Sequence, residues 1–373
     1  MKTRAAVLTE TSKPFQIMEL DIDAPKAGEV RIEVVAAGLC HSDLGVMEGE
    51  TPARFPMVGG HEAAGVVESV GPGVTKVAPG DHVVCSFIPS CGTCRYCSTG
   101  HQNLCNAGFN AMQGSMMDGT FRFHTDRGDD VGGLCMLGSF SEYLVASELS
   151  VVKVDDWLPL DRAVLVGCGV PTGWGAAVNT GGVRVGDTTV VFGVGGVGVN
   201  AVQGAVAAGA KYVICVDPVP FKQEVALKFG ATHATGSATE AAELVRELTW
   251  GDGANQAILT VGTMEAEVVS DALAMVGKGG TVVLVGVADP TRLTVQVSGA
   301  DLVYYEKSIR GSLFGSSNPQ HDIVRLLRLY DAGKLELDAL VTTRYRLDQI
   351  NQGYRDMLDG KNIRGIIDFS LPF

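Results

Sequence analysis

The apolar positions of the chain change rhythm near residue 160. Before that point, β-rich runs at 30–36, 63–70 and 82–87 stand between turn clusters such as Gly71-Pro72-Gly73 and Pro79-Gly80-Asp81. Short apolar runs bounded by glycine and proline predict strands, so the first half reads as mostly β. Beyond it, apolar runs at 189–192, 212–216, 257–260 and 281–285 alternate with segments of helix length. That alternation predicts a parallel sheet with helices on both faces. A helical pattern at 323–332 and a strand at 364–369 follow. The most apolar stretch, 188–216, holds six glycines together with Asn200, Gln203 and Lys211. A buried strand, helix and strand account for it better than a membrane span.

A length of 373 residues exceeds what one core usually holds and predicts two domains. The 48 glycines, nearly twice the ordinary share of about 7%, are scattered through apolar stretches and imply many tight turns and close backbone approaches. With 42 acidic against 29 basic side chains, the net charge of −13 offers no footprint for nucleic acid or an anionic membrane. The first ten residues carry Lys2 and Arg4 but no apolar core of signal-peptide length, so the expected location is cytoplasmic. Nine cysteines are present, four of them within 91–105. That crowding suits metal binding in a reducing compartment better than a disulfide framework.

Gly193-Val194-Gly195-Gly196-Val197-Gly198 satisfies G-x-G-x-x-G, a pattern too short to carry weight without its context. The strand at 189–192 runs into it, an Ala-rich helix follows, and the next strand ends at Asp217, 19 residues after Gly198. Glycines there permit a tight turn and close approach to a pyrophosphate, and the helix N-terminus presents free N–H groups to the anion. Asp217 is then the acceptor for the ribose hydroxyls. A carboxylate repels a 2′-phosphate, which favours NAD over NADP. The plainer alternative is a glycine-rich turn that only packs.

Cys91, Cys94, Cys97 and Cys105 form C-x2-C-x2-C-x7-C, a spacing that can surround one tetrahedral zinc ion and leave no coordination position open. An iron–sulfur cluster is the rival, because its bacterial ferredoxin run begins the same way. Here the fourth cysteine falls too far away, and Asn106 stands where that run has proline; free thiols are the remaining alternative. Cys40, His61 and Cys168 are too widely separated for spacing to join them, and a lone cysteine is more often a small buried hydrophobe. Their surroundings are distinctive: Gly38-Leu39-Cys40-His41-Ser42-Asp43, Gly59-Gly60-His61-Glu62-Ala63-Ala64-Gly65 and Gly167-Cys168-Gly169-Val170-Pro171-Thr172-Gly173.

These segments, with the four-cysteine lobe and the glycine loop, resemble the zinc-dependent medium-chain alcohol dehydrogenases over essentially the whole chain. The resemblance implies an α/β fold in which a Rossmann dinucleotide-binding domain is inserted in a mostly β, GroES-like catalytic domain. Its boundaries would be 1–170 for the catalytic part with the lobe at about 91–105, 171–312 for the NAD-binding domain, and 313–373 for the return. It implies two zinc ions per chain, a structural one in the lobe and a catalytic one on Cys40, His61 and Cys168 with substrate or water as the fourth ligand. Glu62 would be a transient ligand, or alternatively a structural ion-pair partner. The metal acts as a Lewis acid on a small alcohol, which loses its proton and passes hydride to NAD. By the same resemblance, Ser42 begins the proton path, although as a bare sequence feature it reads equally as a turn cap. Gly45 replaces the histidine that completes the relay in many relatives. His41 and Arg364 would face the pyrophosphate, Lys222 the ribose, and Thr172 the nicotinamide. Val285 and the loop residues Gly193, Gly195, Gly196, Val197 and Gly198 would line the cofactor. Phe87, Met136, Leu137 and Val287 match substrate-pocket positions, though each alone reads as core.

The run at 321–364 is most similar to the nitrosodimethylaniline-dependent alcohol dehydrogenases, or nicotinoproteins. That likeness implies an NAD that stays bound through turnover and is reoxidised by an external carrier such as mycofactocin. The alternatives are an ordinary NAD-exchanging enzyme and a thiol-adduct formaldehyde dehydrogenase. Phe109 stands where the glutathione-using members carry an arginine, which weighs against the latter. A non-catalytic nucleotide-binding relative is the alternative of a different class, and the full set of metal ligands argues against it. A homodimer or homotetramer, with no nucleic-acid or membrane partner, completes the expectation.

Overall fold

The computed structural model describes residues 1–262, 264–286 and 297–372, and Val287 lies outside them. The chain divides into two compact units, Met1–Cys168 with Asn318–Phe373, and Gly169–Ser317. Among the described residues no helix is long and apolar enough to cross a membrane.

The first unit is built on strand Glu29–Gly38. It pairs antiparallel with Ala63–Val70, with Tyr143–Ser147 along its first half, and with Arg364–Asp368 at its last residues. The sheet continues through His82–Cys85 to Val151–Lys153 on one side and through Arg364–Asp368 to Val341–Tyr345 on the other. A second set of strands, Lys2–Leu8, Gln16–Ile22, Phe123–His124, Asp130–Gly133 and Met57–Val58, closes into a small barrel. Apolar side chains from both sets, among them Leu8 and Leu20 of the barrel and Ile32 and Val67 of the sheet, share one buried core with Leu39, Leu44 and Phe140. The two N-terminal strands are absent from the hydrophobic reading of the sequence: Lys2–Leu8 has only the short apolar run Ala5–Leu8 after two basic residues. In Gln16–Ile22 only Leu20 and Ile22 are buried, with Asp21 between them.

In the second unit six strands lie in the order His233–Thr235, Tyr212–Val216, Thr188–Phe192, Ala254–Leu259, Val276–Leu284 and Ser308–Gly311. Each of these pairings is parallel. Successive residues such as Val190 and Val191, Ile214 and Cys215, or Ala257 and Ile258 are fully buried, as expected of a parallel sheet covered on both faces by helices. The strand order reverses beside Thr188–Phe192, the first strand in sequence. Such a reversal opens a crevice at the carboxyl ends of the strands, where nucleotides bind in doubly wound folds. The architecture is therefore α/β, with a Rossmann-type unit whose sequence lies between the two segments of a mostly β unit.

Two helices of the second unit approach closely because glycine stands at their contact. A Cβ at Gly173 in helix Gly169–Gly175 would meet the Val197 carbonyl oxygen at 2.0 Å and the Ala201 nitrogen at 2.8 Å. Both belong to helix Gly196–Ala207. Gly173→Ala is expected to lower stability by about 1–3 kcal/mol through overpacking. Gly299→Ala, where no atom lies within 4 Å, should change it by less than about 0.5 kcal/mol. Urea melts of the two variants test this, and equal effects would remove the close helix contact as the cause.

Candidate active site

Three neighbouring strands of the first unit bring reactive side chains to one edge. Cys40 lies just past Glu29–Gly38 and caps helix His41–Glu48, Glu62 immediately precedes Ala63–Val70, and Arg364 opens Arg364–Asp368. The register pairs Ala37 with Ala63 and Gly38 with Ile366, so the strand ends lie side by side. Cys168 follows the short helix Val164–Gly167, whose Gly167 passes close to the Cys85 carbonyl. The ligand atoms of Cys40, His61, Glu62 and Cys168 all lie within 4.8 Å of one another, and all four residues are buried.

His61 is held from behind. Its Nδ1 lies 3.2 Å from Asp43 Oδ1, an oxygen that also accepts the Gly60 N–H at 3.0 Å. Nε2 is thereby the nitrogen turned to binding. Burial opposes a charge on His61, but the Asp43 carboxylate and the two cysteines outweigh it and raise the imidazole well above its ordinary range. The Cys168 thiol, donating to Cys40, drives Cys40 well below the usual thiol range, and the same bond with burial pushes Cys168 well above it. The cluster draws positive charge into its centre. Two sulfurs and an imidazole, with the Glu62 carboxylate within the same 4.8 Å, are a donor set that fits zinc.

Beside this cluster, Arg364 Nη2 donates to Glu62 Oε2, with both side chains sealed from solvent. Burial raises the Glu62 carboxyl and the Arg364 charge only partly offsets it. Arg364 itself remains firmly charged, because Glu62 and Cys40 outweigh its burial. The pair passes so close to the central strand that a Cβ at Gly38 would sit 2.1 Å from Glu62 Oε2. Glu62 Oε1 and Arg364 Nε have no hydrogen-bond partner among the described residues. Each is thus poised to meet a further charged or polar group.

Around the cluster, Ser42 Oγ lies 3.7 Å from Cys40 Sγ. His41 begins the same helix and is half-buried. The Phe87 ring meets His61 edge to face, with centroids 5.6 Å apart. Met136 and Leu137 are buried, Met136 with φ 59° and Leu137 within the main core. A Cβ at Gly45 would lie 3.6 Å from Thr51 Oγ1 and 3.8 Å from Glu50 Oε2.

The four-cysteine lobe is a separate cluster. Its sulfurs also lie within 4.8 Å of one another. Cys91 and Cys97 Sγ are 3.9 Å apart, and Cys94 and Cys105 Sγ 4.0 Å. A tetrahedron with metal–sulfur bonds of about 2.3 Å has edges of about 3.8 Å, close to these distances. A cluster that binds each thiolate to a different iron needs them further apart. Backbone N–H groups of Cys94, Cys97 and Cys91 point at the sulfurs of Cys91, Cys94 and Cys105, at 3.3, 3.5 and 3.4 Å. Such donors favour thiolate, and those of Cys94 and Thr93 pull Cys91 down to about 6.

In the second unit, Gly193 turns with φ 80° and Gly195 precedes helix Gly196–Ala207. Gly198 packs so closely that a Cβ would stand 1.9 Å from the Gly193 carbonyl oxygen. Val197 is partly exposed in the first turn of that helix. Asp217 follows strand Tyr212–Val216. Its Oδ2 accepts the Val194 N–H at 2.8 Å and its Oδ1 that of Val219 at 2.9 Å. Lys222 is half-buried on helix Pro220–Lys228, Thr172 is buried in Gly169–Gly175, and the Val285 N–H donates to the Leu259 carbonyl.

Residues 26–156 match the alcohol dehydrogenase GroES-like domain family and 196–332 the zinc-binding dehydrogenase family. The chain is 63% identical to the NDMA-dependent alcohol dehydrogenase of Amycolatopsis methanolica, over 98% of its own length and 99% of that protein's. It is 48% identical to alcohol dehydrogenase B of Mycobacterium tuberculosis, over 99% of each chain. The crystal structure of benzyl alcohol dehydrogenase from Acinetobacter calcoaceticus superimposes with a TM-score of 0.92 at 34% identity, over 99% of each chain. The chain belongs to the zinc-dependent alcohol dehydrogenase family. The enzyme's β unit is of the GroES-like type.

Asp43 is the site residue that the sequence reading passed over. Its signal was present, three residues after Cys40 in the quoted segment, but only the structure shows it behind His61. The Glu62–Arg364 pair yields a direct test. Arg364→Leu strands a buried carboxylate and is expected to lose about 3–5 kcal/mol of stability. The Glu62→Leu, Arg364→Leu double variant should recover much of that loss in denaturant melts. A double variant as unstable as the single would show that the two charges are not coupled.

Proposed function

We propose that the enzyme oxidises a small alcohol to an aldehyde or ketone, and runs the reverse reaction, by hydride transfer to NAD that stays bound and is reoxidised by an external carrier. The observation that carries the reading is the buried cluster of Cys40, His61 and Cys168, with Glu62 beside them, in a chain closely similar to an NDMA-dependent alcohol dehydrogenase. One zinc ion would be held there and a second by Cys91, Cys94, Cys97 and Cys105. When bound, the first supplies a Lewis acid that makes an alcohol proton easier to lose, and NAD supplies the hydride acceptor.

The chain's own side chains would do the remaining work. Cys40 and Cys168 offset the charge of the ion, and Asp43 keeps the His61 ring aimed at it. Ser42, beside Cys40, would receive the alcohol proton at Oγ. Gly45 offers no side chain to carry it onward, and Thr51 Oγ1 and Glu50 Oε2 are polar atoms near the space it leaves. Phe87 would present an aromatic wall to the substrate, a feature suited to a small apolar alcohol. Gly193–Gly198 and the N-terminus of its helix would bind the pyrophosphate, with His41 and Arg364 as its cationic contacts. Asp217, already fixed by two backbone N–H groups, would present its remaining lone pairs to the ribose hydroxyls and exclude a 2′-phosphate.

Cys168→Ala is expected to abolish alcohol oxidation while leaving a folded protein that holds one zinc. Cys94→Ala should lower the melting temperature sharply, because a closed structural site contributes folding free energy directly. Zinc counts and melting curves distinguish the two variants, and equal thermal losses would contradict the division of roles.

Bound NAD is tested on desalted wild-type enzyme. Denaturation should release close to one NAD per chain, and the native enzyme should oxidise alcohol with nitrosodimethylaniline and no added NAD. Retention of that kind requires binding beyond about −8 kcal/mol. Empty enzyme that freely reduces added NAD would overturn the bound-cofactor reading and leave an NAD-exchanging alcohol dehydrogenase.

A further inference from the structure

Gly193 opens the glycine loop at the end of strand Thr188–Phe192. Its φ of 80° lies in the left-handed region, which glycine enters and leaves with equal ease. The residue is nevertheless held on several sides. Its N–H donates to the Val216 carbonyl at 2.8 Å. The peptide that joins it to Val194 is gripped at both polar atoms: the Val194 N–H donates to Asp217 Oδ2 at 2.8 Å, and the Gly193 carbonyl oxygen lies 2.5 Å from Thr260 Oγ1.

Thr260 directly follows strand Ala254–Leu259, which runs beside Thr188–Phe192 with Leu259 opposite Phe192. A hydroxyl has one proton to give, and two carbonyl oxygens are within its reach, Phe192 at 3.0 Å and Gly193 at 2.5 Å. The Phe192 oxygen already accepts the Thr260 N–H at 2.9 Å, so the hydroxyl proton goes to Gly193. Gly198 makes room for this bond. A Cβ there would stand 2.7 Å from Thr260 Oγ1 as well as 1.9 Å from the Gly193 carbonyl oxygen. Valine in place of the threonine would fill nearly the same volume and donate nothing, so it is the hydroxyl that grips the loop.

We propose that Thr260 is a positioning residue for the nucleotide: its hydroxyl, through the Gly193–Val194 peptide, fixes the glycine loop and the Asp217 carboxylate in the arrangement that receives NAD, and so slows release of the cofactor. The proposal rests on the NAD reading given above. A loop already held in its binding geometry loses little freedom when the ligand arrives, and this preorganisation appears as affinity. Without the hydroxyl, the peptide turns about a residue that has no side chain to restrain it. Asp217 then keeps the Val219 N–H as a fixed donor but loses the set direction of the Val194 N–H. Changes in affinity of this kind fall mainly on the dissociation rate.

The test is made on intact enzyme loaded with NADH and mixed with excess ADP-ribose, release being timed by the fall in fluorescence of the bound nicotinamide. Thr260→Val is expected to release NADH about three- to tenfold faster than wild type, the worth of one neutral hydrogen bond. Thr260→Ser, which returns the hydroxyl, should restore a rate near that of wild type. Thr189→Val is the comparison: it removes a hydroxyl that bonds Gln256 Oε1 at 3.0 Å between the same two strands, near the start of Thr188–Phe192 and away from the loop. It should lower the melting temperature and leave release as in wild type. Wild-type release in Thr260→Val, failure of Thr260→Ser to restore it, or equal acceleration in Thr189→Val overturns the proposal. Wild-type enzyme that yields its NAD on desalting overturns only the bound-cofactor reading, because the ratio of release rates is measured all the same. Wild-type enzyme that takes up no NADH overturns both.

Discussion

A carboxylate and a guanidinium, Glu62 and Arg364, meet in the interior across 302 residues of sequence. Two charges shut away from water are tolerated only when each answers the other. Their meeting requires that the strand after residue 62 and the strand beginning at residue 364 flank Glu29–Gly38 in one register. It also requires a bare backbone at Gly38, since any side chain there would occupy the same space. Once that edge is fixed, Cys40 and His61 are fixed with it, because each lies within two residues of a strand end. The pair is thus less a source of net stability than a constraint on which sheet arrangement the metal ligands can belong to.

The two cysteine-containing clusters are made in opposite ways. The lobe takes its four sulfurs from a span of fifteen residues, 91–105, and shapes them with local N–H donors from its own turns. Little of the surrounding fold is needed. The other cluster gathers Cys40, His61 and Cys168 from separate elements and depends on the sheet for their approach. The donor sets differ accordingly: four sulfurs in the lobe, against two sulfurs, an imidazole and a carboxylate in the other cluster.

This contrast also governs what could be read from sequence. The lobe was legible from spacing because its geometry is local. So were the parallel strands of the second unit, whose burial on both faces makes them continuous apolar runs, and the glycine loop, where turn and helix start are encoded within six residues. Strands Lys2–Leu8 and Gln16–Ile22 were not legible: the first sets Lys2, Thr3 and Arg4 ahead of a short buried run, Ala5–Leu8, and in the second Glu19 and Asp21 alternate with Leu20 and Ile22. Strand Val276–Leu284 starts earlier than its apolar run because Gly277, Lys278, Gly279 and Gly280 carry no hydrophobic signal. Cys40, His61 and Cys168 could be joined only by resemblance. Asp43 required the structure, for a carboxylate behind a histidine leaves no periodicity in the chain.

The placement of strand Arg364–Asp368 has a consequence for the order in which the molecule is made. This strand lies inside its sheet, between Glu29–Gly38 and Val341–Tyr345. A ribosome delivers it after the whole of Gly169–Ser317. The unit formed by Gly169–Ser317 is contiguous and has all its strands in hand once that segment has emerged, in keeping with domains folding as units during synthesis. The first unit begins earlier yet must wait with an open seam beside its central strand, and with Glu62 lacking its counter-charge, until residues 364–368 have been made. Of the two units, the one begun earlier is the one completed later.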